Sequence, residues 1–303
     1  MTPDALSSAQ ATTNFLTAAD GPVVVQGITG SVAGRHTARM LAYGTEVVAG
    51  VTPGRGGQSS NGLPVFDTVA QAVLATGATV AVAFLPPHAA AGGLLEAAEA
   101  GIELVVCTTE GIPAHDLMPA LEWANSAGTQ VLGPNSPGLL IPGRLSLGFL
   151  PGGVARPGPV ALVSRSGTLS YEVAHSLRGA GLGESAWVGV GGDRIKGMTF
   201  SDVLPALVED PATRAIALIG EIGGQEEEEA AQFLSICGLP SAALIAGRTA
   251  PTDVAMGHAG AFVGNGPGGY GPKVHALEQA GVYIASSPRE LVRNLAARLA
   301  GVS

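Results

Sequence analysis

From residue 22 onward the chain alternates short apolar runs with Ala-rich stretches of helical period, and that alternation points to βαβ units on a parallel sheet. In the first half the strand-like runs are 22–26, 46–51, 80–84, 104–107 and 129–132, while helical periodicity falls around 35–43, 68–76, 89–100 and 118–126. Together these predict a doubly wound domain. Residues 133–158 are crowded with Pro and Gly, which bars a long helix and marks a junction. Beyond it, strands are expected over 160–164, 186–189, 215–219, 241–246 and 282–285, and a closing helix over 289–299. This second α/β half should carry the smaller sheet. The expected divisions are an extension over 1–20, a first domain over 21–133, the junction over 134–157 and a second domain over 158–303.

A length of 303 residues exceeds the usual size of one domain, so each half should bury its own core. With 46% hydrophobic and 13% charged residues, 45 Gly and 21 Pro, the composition suits a soluble, turn-rich α/β protein rather than a disordered chain. The net charge is −9 and the only lysines are Lys196 and Lys273, which argues against a nucleic-acid footprint or a membrane-binding basic face. Ligands belong in pockets. Cys107 and Cys237 sit in apolar runs, as reduced buried thiols do. No metal-ligand spacing, signal peptide or long apolar span is present, so the expected setting is cytoplasmic, with the first 20 residues loosely ordered.

Several segments end a strand in small polar residues. At 23–36, V-V-V-Q-G-I-T-G-S-V-A-G-R-H, Gly27, Gly30 and Gly34 would let backbone N–H groups and a helix N-terminus approach an anion. Such a turn is weak evidence alone and is usually credited to NAD. Here the following strand runs into V-T-P-G-R-G-G without the acidic residue that would hold a ribose hydroxyl. A tight turn with no ligand is the alternative. Arg55 in that second loop could grip a phosphate with paired donors, or lie solvated. Thr108, Thr109 and Glu110 follow the fourth strand-like run and offer hydroxyls and a carboxylate to the same crevice, unless the threonines only cap the next helix.

In the second half, V-A-L-V-S-R-S-G-T-L-S-Y-E runs from strand to helix, and Ser164, Ser166, Gly167 and Thr168 could present hydroxyls and N–H groups to an anion or serve as plain caps. Glu221 ends a very apolar strand and needs a partner, for which an imidazole is suited. The acidic run 226–229 reads as a solvated first helical turn without chemistry. In M-G-H-A-G-A, glycine and alanine leave His258 uncovered, and its near-neutral ring nitrogen suits phosphorylation. His36, His88, His115, His175 and His275 are assigned structural roles.

In order, QGITG, YGTEVVAGVTPGRGG, GLPVFDTV, EGIP, GPNSPG, SRSGTLSYE, GVGGD, GEIGG and MGHAGA resemble the alpha subunit of succinyl-CoA synthetase along nearly the whole chain from about residue 22. The resemblance implies an N-terminal Rossmann-like CoA-binding domain followed by a flavodoxin-like doubly wound domain. It further implies that Thr29, Gly30, Ser31, Val32, Arg55, Thr108, Thr109 and Glu110 hold CoA, and that Tyr171, with Ser166 and Gly167, lies at the acid. His258 would carry the phosphoryl group and Glu221 would orient its ring. A separate ATP-grasp beta subunit would bring ATP or GTP with Mg²⁺, in a heterodimer or heterotetramer. The chain departs from the family at Arg55 (commonly Lys), Ser136 (Cys), Arg194 (Pro) and in 251–255, where a basic stretch is replaced by P-T-D-V-A. These differences leave the small carboxylic acid open between succinate, malate and other short acids. A non-catalytic CoA-binding module and an NAD-binding enzyme are the competing readings.

Overall fold

The computed structural model describes residues 14–250, 260–261 and 268–301. Its first sheet contains β1 (Val23–Gln26), β2 (Val47–Val51), β3 (Ser59–Ser60), β4 (Leu63–Phe66), β5 (Val80–Ala83), β6 (Leu104–Cys107) and β7 (Gln130–Leu132). The second contains β8 (Gly138–Ile141), β9 (Leu145–Gly148), β10 (Pro157–Ser164), β11 (Glu184–Gly189), β12 (Ala215–Glu221), β13 (Ser241–Ala246) and β14 (Tyr283–Ala285). The helices are α1 (Phe15–Ala18), α2 (Ser31–Tyr43), α3 (Val69–Thr76), α4 (Pro87–Glu99), α5 (Ala114–Ser126), α6 (Gly167–Gly179), α7 (Phe200–Glu209), α8 (Glu226–Leu234), α9 (Tyr270–Gln279) and α10 (Pro288–Ala300).

Strand order in the first sheet is β3-β4-β2-β1-β5-β6-β7. With the short antiparallel β3 set aside, the parallel strands follow the Rossmann order, and the topological switch falls between β1 and β5. The second sheet runs β14-β13-β12-β10-β11-β8-β9, and its parallel strands follow the flavodoxin order with the switch between β10 and β12. Both halves are therefore the folds the resemblance implied. Strands such as Val80–Ala83 and Leu104–Cys107 are buried at every position because helices cover both faces, which is why they read as unbroken apolar runs. Local signals fix the helix ends. Thr68 and Ser287 cap α3 and α10 with their hydroxyls, Thr199 and Asp202 form a capping box on α7, and Gly44 and Gly77 close α2 and α3 in the left-handed conformation.

Three expectations change. The second sheet is not the smaller one, since both have seven strands. The Pro/Gly-rich 134–157 stretch supplies β8 and β9, an antiparallel hairpin hydrogen-bonded to β11. Within the expected extension, Phe15, Leu16 and Ala18 are buried in a short helix that packs on α7, and Asp20 pairs with Arg144. The two halves interlock through Ser136 Oγ donating to the Gly189 carbonyl at 2.6 Å, Asn135 Nδ2 donating to Asp193 Oδ1 at 2.9 Å, and Gly197 N donating to the Gly133 carbonyl at 2.8 Å. Among the described residues no helix is long and apolar enough to cross a membrane.

Phe15 is only 1% exposed, so Phe15→Ala should destabilise the chain by about 3–5 kcal/mol in urea unfolding. A loss below about 1 kcal/mol would show that α1 is not part of the core.

Candidate functional site

Among the described residues, each sheet brings its predicted residues to its carboxyl edge, where loops after neighbouring strands diverge at a switch point. In the first domain β1 leads into Gly27, whose φ of 79° and closeness to the Phe84 carbonyl admit no side chain; a Cβ would lie 2.6 Å from that oxygen. Gly30 is the N-cap of α2 and supplies no capping side chain, so the first-turn N–H groups of Ser31 to Ala33 face outward for an anion. Thr29 Oγ1 donates to Thr52 Oγ1 at 3.2 Å, which ties the loop after β1 to the loop after β2. That second loop is pinned by Gly56 N donating to Asp67 Oδ1 at 2.8 Å and leaves Arg55 exposed.

Thr108 and Thr109 do not cap α5, which begins after Pro113. Their hydroxyls donate to the Ala83 and Leu85 carbonyls at 2.9 and 2.6 Å, fixing the loop after β6 against the loop after β5 and leaving Glu110 exposed beside them. Thus Thr29–Val32, Arg55 and Thr108–Glu110 converge on one edge. Cys107 lies beneath it, and burial pushes its thiol up to about 11, which makes it inert.

The second edge is built around Arg165. Ser164 Oγ donates to the Ser166 carbonyl at 2.7 Å, and Ser166 caps α6 by accepting from Leu169 N at 3.3 Å. That turn points Arg165, 2% exposed, under β12. Its Nη1 donates to the carbonyls of Glu221 and Gly223 at 3.2 and 2.8 Å and to Glu227 Oε1 at 3.2 Å, while Nη2 lies 3.3 Å from Glu221 Oε1. Glu227 also pairs with Lys273, which bonds Glu228 Oε2 at 3.0 Å and the Gly224 carbonyl at 2.9 Å. Lys196 reaches Glu226 Oε1 at 2.9 Å and the Gly191 carbonyl at 2.6 Å.

The acidic run is therefore not a solvated turn. Glu227 is fully buried, Glu226 and Glu228 are half-buried and paired, and Glu229 alone of the four is exposed. Burial works to lower the Arg165 pKa, but Glu227, Glu221 and Glu226 outweigh it, so the net shift is upward and the guanidinium stays charged. Burial lowers Lys196, with Glu226 opposing. A run of four glutamates beside an apolar strand, in a chain with two lysines, was the available signal for this cluster. It required the tertiary fold to be read.

Tyr171, one turn into α6, donates its hydroxyl to the Phe149 carbonyl at 3.2 Å and meets Trp187 edge-on at 5.3 Å. Burial raises its phenol pKa, so it remains a neutral donor and acceptor. His258 lies outside the described residues. Two residues after it, Gly260 is buried, its N–H donates to the Gly192 carbonyl at 3.2 Å, and a Cβ there would lie 3.0 Å from Arg165 Nη2. An open cleft of about 950 Å³ lies elsewhere, between α5, the start of β7 and α7, and is lined by none of the predicted residues.

Residues 18–111 match the CoA binding domain family and residues 163–297 the CoA-ligase family. The chain is 47% identical over 274 residues to the alpha 2 subunit of ADP-forming succinate–CoA ligase of Archaeoglobus fulgidus, covering 90% of this chain and 96% of that one. It is 48% identical over 280 residues to the alpha subunit of the Aquifex aeolicus ADP-forming enzyme, covering 91% and 92%. Among solved structures, ATP citrate lyase from Methanothrix soehngenii, in complex with citrate and coenzyme A, superposes with a TM-score of 0.82 at 27% identity; 94% of this chain covers about half, 51%, of that longer one. The dinucleotide-forming acetyl-coenzyme A synthetase 1 of Ca. Korarchaeum cryptofilum shares the fold, with a TM-score of 0.72 at 24% identity over 90% of this chain and 59% of that one.

Removing one member of a buried ion network leaves its partners uncompensated. Glu227→Gln should cost about 3–5 kcal/mol in urea unfolding, against under about 0.5 kcal/mol for Glu229→Gln on the exposed face. Equal, small effects would show that the network contributes nothing specific.

Proposed function

The chain belongs to the family of succinate–CoA ligase alpha subunits, and from that premise we propose that it is the CoA-binding, phosphoryl-carrying half of an NDP-forming acid–CoA ligase. His258 takes a phosphoryl group from ATP or GTP, held with Mg²⁺ on an ATP-grasp beta subunit, and passes it to a bound carboxylate. CoA thiol then attacks the acyl phosphate. The assembly is a heterodimer or heterotetramer in the cytoplasm.

The observation that carries the proposal is the position of Gly260 against Arg165 and Gly192 at the second switch point. His258 is two peptide units from it, a reach of about 7 Å, which suits a partnership with the Glu221 carboxylate. A carboxylate beside an imidazole fixes the tautomer and favours the cationic ring that forms as the phosphoryl group arrives or leaves. The start of α6 at Gly167 and Thr168 adds outward N–H groups and a favourable dipole for the phosphate. Tyr171 is placed one helical turn on, with a hydroxyl able to meet the acid.

CoA occupies the first edge. Its phosphates suit the uncapped start of α2 and the guanidinium of Arg55, which keeps the charge the family's lysine would carry. Of the other departures, Ser136 is buried and committed to the Gly189 carbonyl and Gly138 N, so it serves the domain junction rather than an open pocket. Arg194 is exposed. Arg194 and the 251–255 segment are therefore the places where the acid or the partner differs from the family's usual pair, and the acid is succinate or a short relative such as malate.

Mixed with its beta partner, the chain should support acid- and CoA-dependent nucleotide cleavage and acquire an acid-labile phosphate. His258→Asn should lower turnover at least about 10³-fold and abolish the phosphate, since a covalent carrier has no substitute. Retained turnover in that variant would end the assignment.

A further inference from the structure

A thiol attacks as its thiolate, so the S–H proton of CoA needs an acceptor near the acyl phosphate. His36 stands on the seam between the two edges. It lies six residues beyond the Gly30 cap, on the face of α2 that packs against β9. Its ring stacks on Phe84, with centroids 5.9 Å apart at 27°, and meets Phe149 edge-on at 4.6 Å and 81°. Phe84 and Phe149 close the cluster at 5.3 Å.

Both phenylalanines lead to a site. Phe84 follows β5, and its carbonyl closes over Gly27 at the first switch point. Phe149 belongs to the second half: its carbonyl accepts from Tyr171, and its N–H donates to the Pro137 carbonyl at 2.8 Å. Pro137 in turn abuts Gly167 at the start of α6, 3.5 Å from where a Cβ would stand. Phe84 thus stands between the imidazole and the Gly27 turn, Phe149 between it and Tyr171, and Phe149 with Pro137 between it and the α6 start.

Its charge state suits a base. Burial first, then Arg39 and Arg35 on the same helix, hold the His36 pKa below 6.5, while a backbone hydrogen bond to Gly148 works the other way. From the elements packed against it come Phe84, Phe149 and Gly148, all uncharged, and the neutral phenol of Tyr171 on α6 lies beyond Phe149. At physiological pH the ring is neutral. A neutral imidazole carries a lone pair on one of its two ring nitrogens.

We propose that His36 is the general base that takes the thiol proton of CoA in the acyl-transfer step. This rests on the ligase reading above. The S–H bond breaks as the proton moves to the free ring nitrogen of His36. Sulfur attacks the acyl carbon, the C–S bond forms, and the C–O bond to phosphate breaks with its electron pair leaving on phosphate. The imidazolium then returns its proton to phosphate or water.

The test uses the complex with the beta partner and three single-turnover readouts: phosphorylation by nucleotide without CoA, CoA affinity by calorimetry, and acyl-CoA formation from the phosphorylated complex. His36→Phe keeps an aromatic ring between Phe84 and Phe149 but has no lone pair, and His36→Asn removes the ring. For both, phosphorylation and CoA affinity should stay within about 2-fold, while acyl-CoA formation falls about 10²–10³-fold. The residual rate should climb as pH approaches the free thiol pKa of about 8.5. Added imidazole should restore part of the rate in His36→Ala. Wild-type acyl transfer in His36→Phe would overturn the proposal, as would parallel losses in phosphorylation and transfer, which mark a packing role. A wild-type complex that forms no phosphoenzyme would instead sink the ligase reading, and the base with it.

Discussion

Burying the guanidinium of Arg165 under the carboxyl edge of the second sheet dictates much of what surrounds it. A charge taken that far from water must be met by partners, and here they gather on the two terminal nitrogens. Glu227 is turned inward to meet it, and Glu227 in turn holds Lys273 from α9. The carbonyls of Glu221 and Gly223 fix the end of β12, and Gly260, lacking a side chain, comes close to the guanidinium. In this cluster four carboxylates, Glu221, Glu226, Glu227 and Glu228, face three cations, Arg165, Lys196 and Lys273. The surplus negative charge favours a proton-bearing or cationic neighbour, which is what an imidazole that gains and loses a phosphoryl group becomes.

The two halves solve one problem twice. Each winds a parallel sheet in both directions and leaves a crevice at the reversal, so a Gly-rich turn with a helix start forms one site and a Ser-Arg-Ser turn with a helix start forms the other. What joins them is the Pro/Gly-rich stretch, which is a hairpin of the second sheet rather than a tether. It carries Ser136 and Phe149 into contact with both halves, so the distance between the edges is set by packed structure. That packing is what brings His36, on a helix of the first half, against Phe149 of the second.

Strands buried on both faces were legible because covering helices demand unbroken apolar runs, as in Val80–Ala83. The candidate site residues on strand ends stood out for a related reason, since Gly27, Ser166 and Glu221 interrupt such runs with residues that a core would not choose. Elements such as β3, with two serines, and α1, four residues long, are too short to show a period. Local rules misled at 226–229, where a helix dipole explains glutamates at a first turn as well as a buried cation does. Arg165 stood within a recognised motif but gave no sign of being buried, because its partners lie more than fifty residues away. His36 was silent for the same reason, its neighbours coming from β5 and from the junction hairpin.

The claim at the centre of the proposed function is that Glu221, held by the buried Arg165, supports a phosphoryl group carried on His258, and a double-mutant cycle measures this most directly. The quantity is the acid-labile phosphate held at equilibrium by the folded fraction of Arg165→Gln, Glu221→Gln and the double variant, each in complex with the beta partner. If the two residues act as one unit, the double variant should lose no more than the worse single, within about 2-fold. Losses that multiply would show that Arg165 and Glu221 act independently, and would contradict the account.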